Sequence, residues 1–226
     1  MTTTSKRVIV YIDGFNLYHG LKSKSWEKYL WLNLKSLCLE LIPKHHQLVG
    51  IKYFTTKITK SVDDPDKILR QKEYLKAVRS LIPFLEIIEG RYQSFQSHCK
   101  YCDTLVNCHN CGRPHIKPNE KKTDVNIATY LFVDLIENKC EDQILISGDS
   151  DYENTLVELR RLFPANELVV AFPPARQNNR LYGADKCTDW YVIPEYIIAR
   201  SQFPDKVAYI SLRGKSIVAN KPPSWS

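Results

Sequence analysis

Ile144-Leu-Ile-Ser-Gly-Asp-Ser-Asp-Tyr-Glu-Asn154 is a short apolar run that ends in a glycine, two aspartates and the beginning of a helical pattern. An apolar run of this length, bounded by Gly148, fits a parallel strand buried on both faces. Ser150, with Glu153 three residues on, supplies the side chains of a capping box for the helix that follows. Strand, turn and helix thus place Asp149 and Asp151 at a strand's carboxyl end, where open α/β sheets bind their ligands. An acidic pair in that place suits a divalent metal. The same residues also suit a plain turn and a helix cap.

Working outward, Arg7-Val-Ile-Val-Tyr-Ile12 is a second apolar run without alternation, the mark of a central strand, and it leads straight into Asp13-Gly-Phe-Asn16. Gly14 permits a sharp turn there, and Asn16 can cap a helix or point its amide towards whatever Asp13 faces. A helix is expected over 33–42, stopping at Pro43, then a strand over 48–58, a helix opening at Asp64-Pro65-Asp66, and a strand over 84–88. After a cysteine-rich segment the alternation resumes, with a helix over 123–138, the Ile144 strand, a strand over 168–172, an edge strand over 190–193 and a short helix over 194–201. This order predicts an α/β fold, a Rossmann-like parallel sheet flanked by helices. Beyond about Pro204 there is no strong period; residues 206–226 are read as a C-terminal tail whose Lys221-Pro-Pro-Ser-Trp-Ser226 end is expected to be loose.

If the first strand is central and the chain crosses over after the third, the carboxyl ends of the first strand and the Ile144 strand meet at the reversal point. Neighbouring strands lie about 4.8 Å apart, so Asp13 and Asp149 can share one small volume. Asp124 opens the helix over 123–138. At 100° per residue it points within about 40° of Ala128, Leu131 and Leu135, which predicts an inward-facing carboxylate. Asp13, Asp124, Asp149 and Asp151 together would repel one another unless a hard cation such as Mg2+ or Mn2+ relieved the charge. Such a site suits phosphodiester hydrolysis.

Val10-Tyr-Ile-Asp-Gly-Phe-Asn16, Glu120-Lys-Lys-Thr-Asp-Val-Asn-Ile-Ala128 and Ile146-Ser-Gly-Asp-Ser-Asp151 together resemble the NYN domain, a PIN-like ribonuclease family that includes LabA-like proteins. The resemblance runs on through Val170–Pro174 and Ser201–Asp205, so residues 1–205 read as the nuclease domain. It implies a PIN-like sheet, Mg2+ or Mn2+ on Asp13, Asp124, Asp149 and Asp151, supporting roles for Asn16 and Ser147, and endonucleolytic cleavage of RNA. Where many members carry a further acid, six residues after the helix aspartate, this chain has Tyr130. Asp134 sits about 80° from Asp124 on the same helix and is a poor substitute.

His98-Cys-Lys-Tyr-Cys-Asp-Thr-Leu-Val-Asn-Cys-His-Asn-Cys-Gly112 holds two Cys-x-x-Cys pairs. Cys99, Cys102, Cys108 and Cys111 have the makings of a closed four-sulfur Zn2+ site, so 97–117 is read as an inserted zinc knuckle. The short spacer leaves His98, His109 or His115 as replacement ligands, and redox pairs or plain thiols as other readings. Lys100, Arg113, Lys117, Lys121 and Lys122 flank the knuckle and are candidates to guide RNA; a charged, solvated loop would look the same. Tyr18, Trp26, Tyr29 and Trp31 offer rings for base stacking or for the core.

An excess of 32 Lys+Arg over 25 Asp+Glu gives a net charge of +7, which favours a polyanionic partner. The polar start and the short apolar run behind it predict neither signal peptide nor membrane span, hence a cytoplasmic protein; an oligomer is possible but not indicated. A phosphatase of the haloacid-dehalogenase kind would need a nucleophilic Asp two residues before Asp13, and Tyr11 stands there. The remaining rival is a catalytically silent, zinc-stabilised RNA-binding or scaffold protein.

Overall fold

The computed structural model describes residues 5–58, 64–99, 101–109, 111–114 and 116–225, with the side chains of 92–95 and 116–121 outside the described set. Six parallel strands form the central sheet: β1 (Arg7–Asp13), β2 (Gln47–Thr55), β3 (Leu85–Glu89), then β6 (Asp142–Ile146), β7 (Leu168–Phe172) and β8 (Asp189–Val192). Between β3 and β6 the chain makes an antiparallel hairpin of β4 (Arg91–Gln96) and β5 (Ile116–Lys121). The sheet order is β3-β2-β1-β6-β7-β8. The chain therefore winds outward from β1, returns to β6 on the other side of β1, and winds outward again. The reversal point lies between β1 and β6, where Tyr11 pairs with Leu145 and Ile12 with Ile146.

Alternation along β1 divides the protein into two cores. Val8, Val10 and Ile12 pack on one face with α1 (Gly14–Ser23), α2 (Leu34–Leu41), α3 (Lys67–Arg79) and α6 (Glu195–Arg200). Ile9 and Tyr11 pack on the other face with α4 (Thr123–Ile136) and α5 (Glu153–Leu162). β1 is buried from Val8 to Asp13, as its unbroken apolar sequence predicts.

Three regions differ from the sequence expectation. A helix, α1, begins directly on Asp13, where only a turn was expected. Residues after Pro204 are ordered: β9 (Lys206–Ile210) and β10 (Ser216–Asn220) pair antiparallel, and Val207, Ala219 and Trp225 join the α1 side of the core. In α4 the buried residues are Thr123, Ile127, Leu131 and Asp134, a stripe rotated away from the one read from Ala128, Leu131 and Leu135. Asp124 is consequently exposed rather than directed into the core. Among the described residues no helix is long and apolar enough to cross a membrane.

Asp134, at the downstream end of that buried stripe, is completely buried and carries the charge inward. Tyr11 donates to its Oδ2 at 2.9 Å, and the ammonium groups of Lys52 and Lys139 stand 3.3 and 3.4 Å from its carboxylate. Lys52 in turn lies 4.0 Å from the centre of the Tyr130 ring. Tyr130 therefore makes a cation–π contact beneath the helix, and neither it nor Asp134 lines the cleft described next.

Candidate active site

At the carboxyl ends of β1 and β6 lies a cleft of about 220 Å3 lined by Asp13, Phe15, Asn16, His19, Thr123, Asp124, Asp149 and Arg176. Asp13 ends β1 and caps α1, its Oδ1 accepting from the Asn16 backbone N–H at 2.9 Å. Its other oxygen accepts from the fully buried Ser147 hydroxyl at 3.0 Å. Asn16 reaches across the reversal point, where its side-chain oxygen accepts from the Gly148 N–H at 2.9 Å. These bonds lock the ends of β1 and β6 together.

Gly148 has a second reason to be glycine. A Cβ built there would stand 1.8 Å from the Arg176 carbonyl oxygen, so only a bare backbone lets the loop after β7 close over the turn. The Asn178 amide holds that approach by donating to the Gly148 carbonyl at 3.1 Å. Arg176 is brought to the cleft by this packing, and its buried Nε has no hydrogen-bond partner among the described residues.

Asp149 caps the single turn Ser150–Tyr152, with its Oδ1 accepting from the Asp151 N–H at 3.1 Å. Tyr152, buried behind it, donates its hydroxyl to Asp124 Oδ1 at 2.9 Å. Burial first, and then the charges of Asp13, Asp124 and Asp149, push the Tyr152 phenol far above its ordinary value. It is a proton donor at every working pH.

Three of the four expected aspartates, Asp13, Asp124 and Asp149, thus line one cleft, with Asn16 in its wall and Ser147 behind Asp13. Asp151 is exposed and is not part of the lining. No three of these carboxylates bring ligand atoms within 4.8 Å of one another. Each is held by its own donor, which keeps like charges apart. Among the described residues the set that meets this distance is His46, Asp142 and Glu167, at the opposite, amino end of the strands. That triad can coordinate a divalent ion only by displacing Lys6, whose ammonium already lies 3.1 Å from both Asp142 and Glu167.

The cysteine segment extends beyond the β4–β5 hairpin and contains two turns of the same build. The Cys99 N–H donates to the Thr104 carbonyl and the Asp103 N–H to the Cys99 carbonyl; the Cys108 N–H donates to Arg113 and the Gly112 N–H to Cys108. Asp103 and Gly112, at matching places, both have positive φ, 53° and 67°. The Cys102 thiol is held below its ordinary value by Thr104, whose hydroxyl lies 2.9 Å from its sulfur. Even so, Cys99, Cys102, Cys108 and Cys111 do not gather three sulfurs within 4.8 Å, so the expected closed four-sulfur cage is not formed. Without an ion, nothing but weak thiol contacts would draw them together. His98 and His109 are not part of any such set, and His115 lies outside the described residues. Cys38, Cys140 and Cys187 are buried thiols.

Of the basic candidates, Arg113 and Lys122 are exposed, and Lys122 takes a left-handed conformation immediately before α4. Lys100 and the side chains of Lys117 and Lys121 lie outside the described residues. Arg176 and His19 were missed from sequence. The only signal for Arg176 was Pro173-Pro174, which ends a strand at the same sheet edge as Asp13 and Asp149.

A family model described as "NYN domain" matches residues 7–185. The chain is a member of the NYN family. This places the NYN chain in the PIN-like ribonuclease superfamily, in agreement with its parallel sheet and flanking helices. It is similar to 6-hydroxy-3-succinoylpyridine 3-monooxygenase HspA of Pseudomonas putida (strain DSM 28022 / S16), 29% identical over 194 residues, a match covering 76% of the NYN chain. The chain spans 61% of that relative's length. It shares its fold with a crystal structure of a protein of unknown function, VPA0982, from Vibrio parahaemolyticus RIMD 2210633, at 15% identity and a TM-score of 0.50 over 86% of the NYN chain and 97% of the other.

Proposed function

We propose that this NYN protein is a divalent-metal-dependent endoribonuclease that hydrolyses RNA phosphodiester bonds in the cleft of Asp13, Asp124 and Asp149, with Asp151 at its outer edge. The observation that carries this reading is the convergence of three carboxylates and an arginine at the reversal point of the sheet. The donor set fits Mg2+ or Mn2+: all oxygen, and spaced so that an ion contacts one or two carboxylates and keeps several waters, as Mg2+ prefers. Such an ion supplies Lewis-acid polarisation of a phosphoryl oxygen and activation of water.

The chain's own residues do the positioning. Ser147 holds the Asp13 carboxylate and Tyr152 that of Asp124, so both are oriented at the cleft by neutral donors that an ion would not displace by charge. Arg176, in the cleft wall, meets the charge of the scissile phosphate. Lys100, Arg113, Lys117, Lys121 and Lys122 lead the strand towards the cleft. The paired cysteine turns, alike in hydrogen bonding and in positive φ, favour Zn2+ taken up by Cys99, Cys102, Cys108 and Cys111 as they close.

The test is cleavage of a mixed set of labelled RNAs with Mg2+ or Mn2+, comparing wild type, Asp149→Asn and wild type with chelator. Cleavage that disappears in both controls supports the reading, whereas RNA binding without any cleavage favours the silent binding protein. Zinc is tested by counting the metal per chain in purified protein. A content that does not change in Cys108→Ser overturns the zinc assignment.

A second reading has one observation in its favour. Beside the acidic cleft is a larger cavity, about 370 Å3, walled by aromatic side chains. Together with the likeness to a monooxygenase named for a hydroxylated pyridine, it suits oxygenation of a small heteroaromatic acid. Oxygen- and reductant-dependent turnover of 6-hydroxy-3-succinoylpyridine would establish that reading, and its absence in the presence of RNA cleavage would remove it.

A further inference from the structure

The aromatic cavity and the acidic cleft share a wall. Phe15 and His19, successive turns of α1, line both, and their rings stack with centroids 6.3 Å apart. Tyr18 joins them on the cavity side, edge-on to His19 at 5.3 Å. Tyr53 and Tyr74 close the interior, and Gly14 makes room: a Cβ there would meet the Tyr53 ring at 2.8 Å. The aromatic expectation for this region is thereby narrowed, since Tyr18 lines the cavity while Trp26, Tyr29 and Trp31 do not. Trp31 is fully buried, with its indole N–H donating to the Pro204 carbonyl.

Charge around the cavity is asymmetric. Arg70 is already paired with Asp64, but Lys22 and Lys67 have no acidic partner among the described residues. The Lys22 ammonium instead lies 5.8 Å from the Tyr18 ring centre. The volume falls within the ordinary range for a small-ligand site, about 300–1,000 Å3. A flat ring fits between aromatic walls whatever its edge pattern, and a phosphate attached to it meets the lysines.

We propose that this cavity is a nucleobase subsite, which holds the base of the nucleotide next to the phosphate lying in the acidic cleft. The inference rests on the nuclease reading, and it adds a base-binding contact to a site otherwise built for phosphate. Because Asp13 caps the helix whose first two turns carry Phe15 and His19, the seated base sets the register of the strand against the carboxylates.

The test uses full-length Asp149→Asn protein with Mg2+ and a labelled single-stranded hexaribonucleotide, read by fluorescence anisotropy, with one abasic ribose placed at each position in turn. One position should weaken binding about tenfold and its neighbours much less, and Tyr18→Ala should erase that difference while Tyr18→Phe keeps it. Equal penalties at every position, a penalty that persists in Tyr18→Ala, or no RNA binding at all would overturn the subsite. Cleavage of the intact hexamer by wild type is scored separately. Position-dependent binding without cleavage sinks the nuclease reading and leaves the subsite standing; cleavage without position dependence does the reverse.

Discussion

Tyr152 and Asp124 are joined by a 2.9 Å hydrogen bond from a buried hydroxyl to an exposed carboxylate, across the gap between the turn after β6 and the first turn of α4. The tyrosine aims a side chain that its own helix leaves in solvent. Tyr152→Phe should therefore weaken divalent-metal binding and RNA cleavage by about 10- to 100-fold, the usual effect of losing a partner that orients a ligand. Titration calorimetry with Mn2+ checks it; unchanged affinity would separate Asp124 from the metal.

Gly148→Ala should be severe. The added methyl cannot coexist with the Arg176 carbonyl at 1.8 Å, so the loop carrying Arg176 and Asn178 must lift. Loss of about 1–3 kcal/mol of stability is expected from such overpacking, together with loss of cleavage. Arg176→Lys, which leaves the backbone contact intact, should keep the stability and lose most of the rate, because a point charge replaces a planar fork. Thermal melting and single-turnover cleavage read the two effects apart.

Beneath α4, Asp134→Ala removes the shared partner of Tyr11, Lys52 and Lys139. The cost should be about 3–5 kcal/mol, since the Lys52 side chain is itself nearly buried. Tyr130→Glu, which introduces the acid that the family resemblance leads one to expect, should not raise activity, because position 130 lies over Lys52 rather than in the cleft. Denaturant unfolding measures the first effect, and a cleavage assay the second.

Acid stability should depend on Glu141. Its carboxyl is held below its ordinary value by hydrogen bonds from the Arg7 guanidinium and backbone N–H. A depressed carboxylate stabilises the fold fully above its unfolded value of about 4.3 and loses that contribution as pH falls through the lower, folded value. Glu141→Gln should therefore melt lower than wild type at neutral pH, and the gap should narrow towards about pH 3. A gap that stays constant with pH would mean the charge plays no part.

Much of the sheet was legible because β1 and β6 are buried on both faces, and such strands write themselves as unbroken apolar runs. The adjacency of Asp13 and Asp149 followed from where those runs end. Asp124 was misplaced by a particular residue: Asp134, a charge on the buried face of α4, reads as polar and shifts the apparent stripe. Corrected for it, Asp124 stands roughly 65° from the middle of that face. The β9–β10 hairpin escaped because its strands are short and carry apolar residues, Ile210 and Val218, on the exposed face, so the alternation of burial is not written in the residue types. Helix α1 escaped because Gly14 and Gly20 lower its propensity. Both are demanded by packing, the second by a Pro174 carbonyl that a Cβ would meet at 2.7 Å.

The anchoring of α4 through Asp134 and Lys139 is at its downstream half, whereas the β4–β5 hairpin and its cysteine turns join it at the upstream end. The helix is thus held at both ends by side chains of the central domain, by Lys52 and Tyr11 through Asp134 and by Tyr152 through Asp124, and the hairpin joins it beside the second of these. The hairpin accordingly hangs on a helix that is fastened independently of it, so a change in hairpin length should leave the helix seated on the sheet.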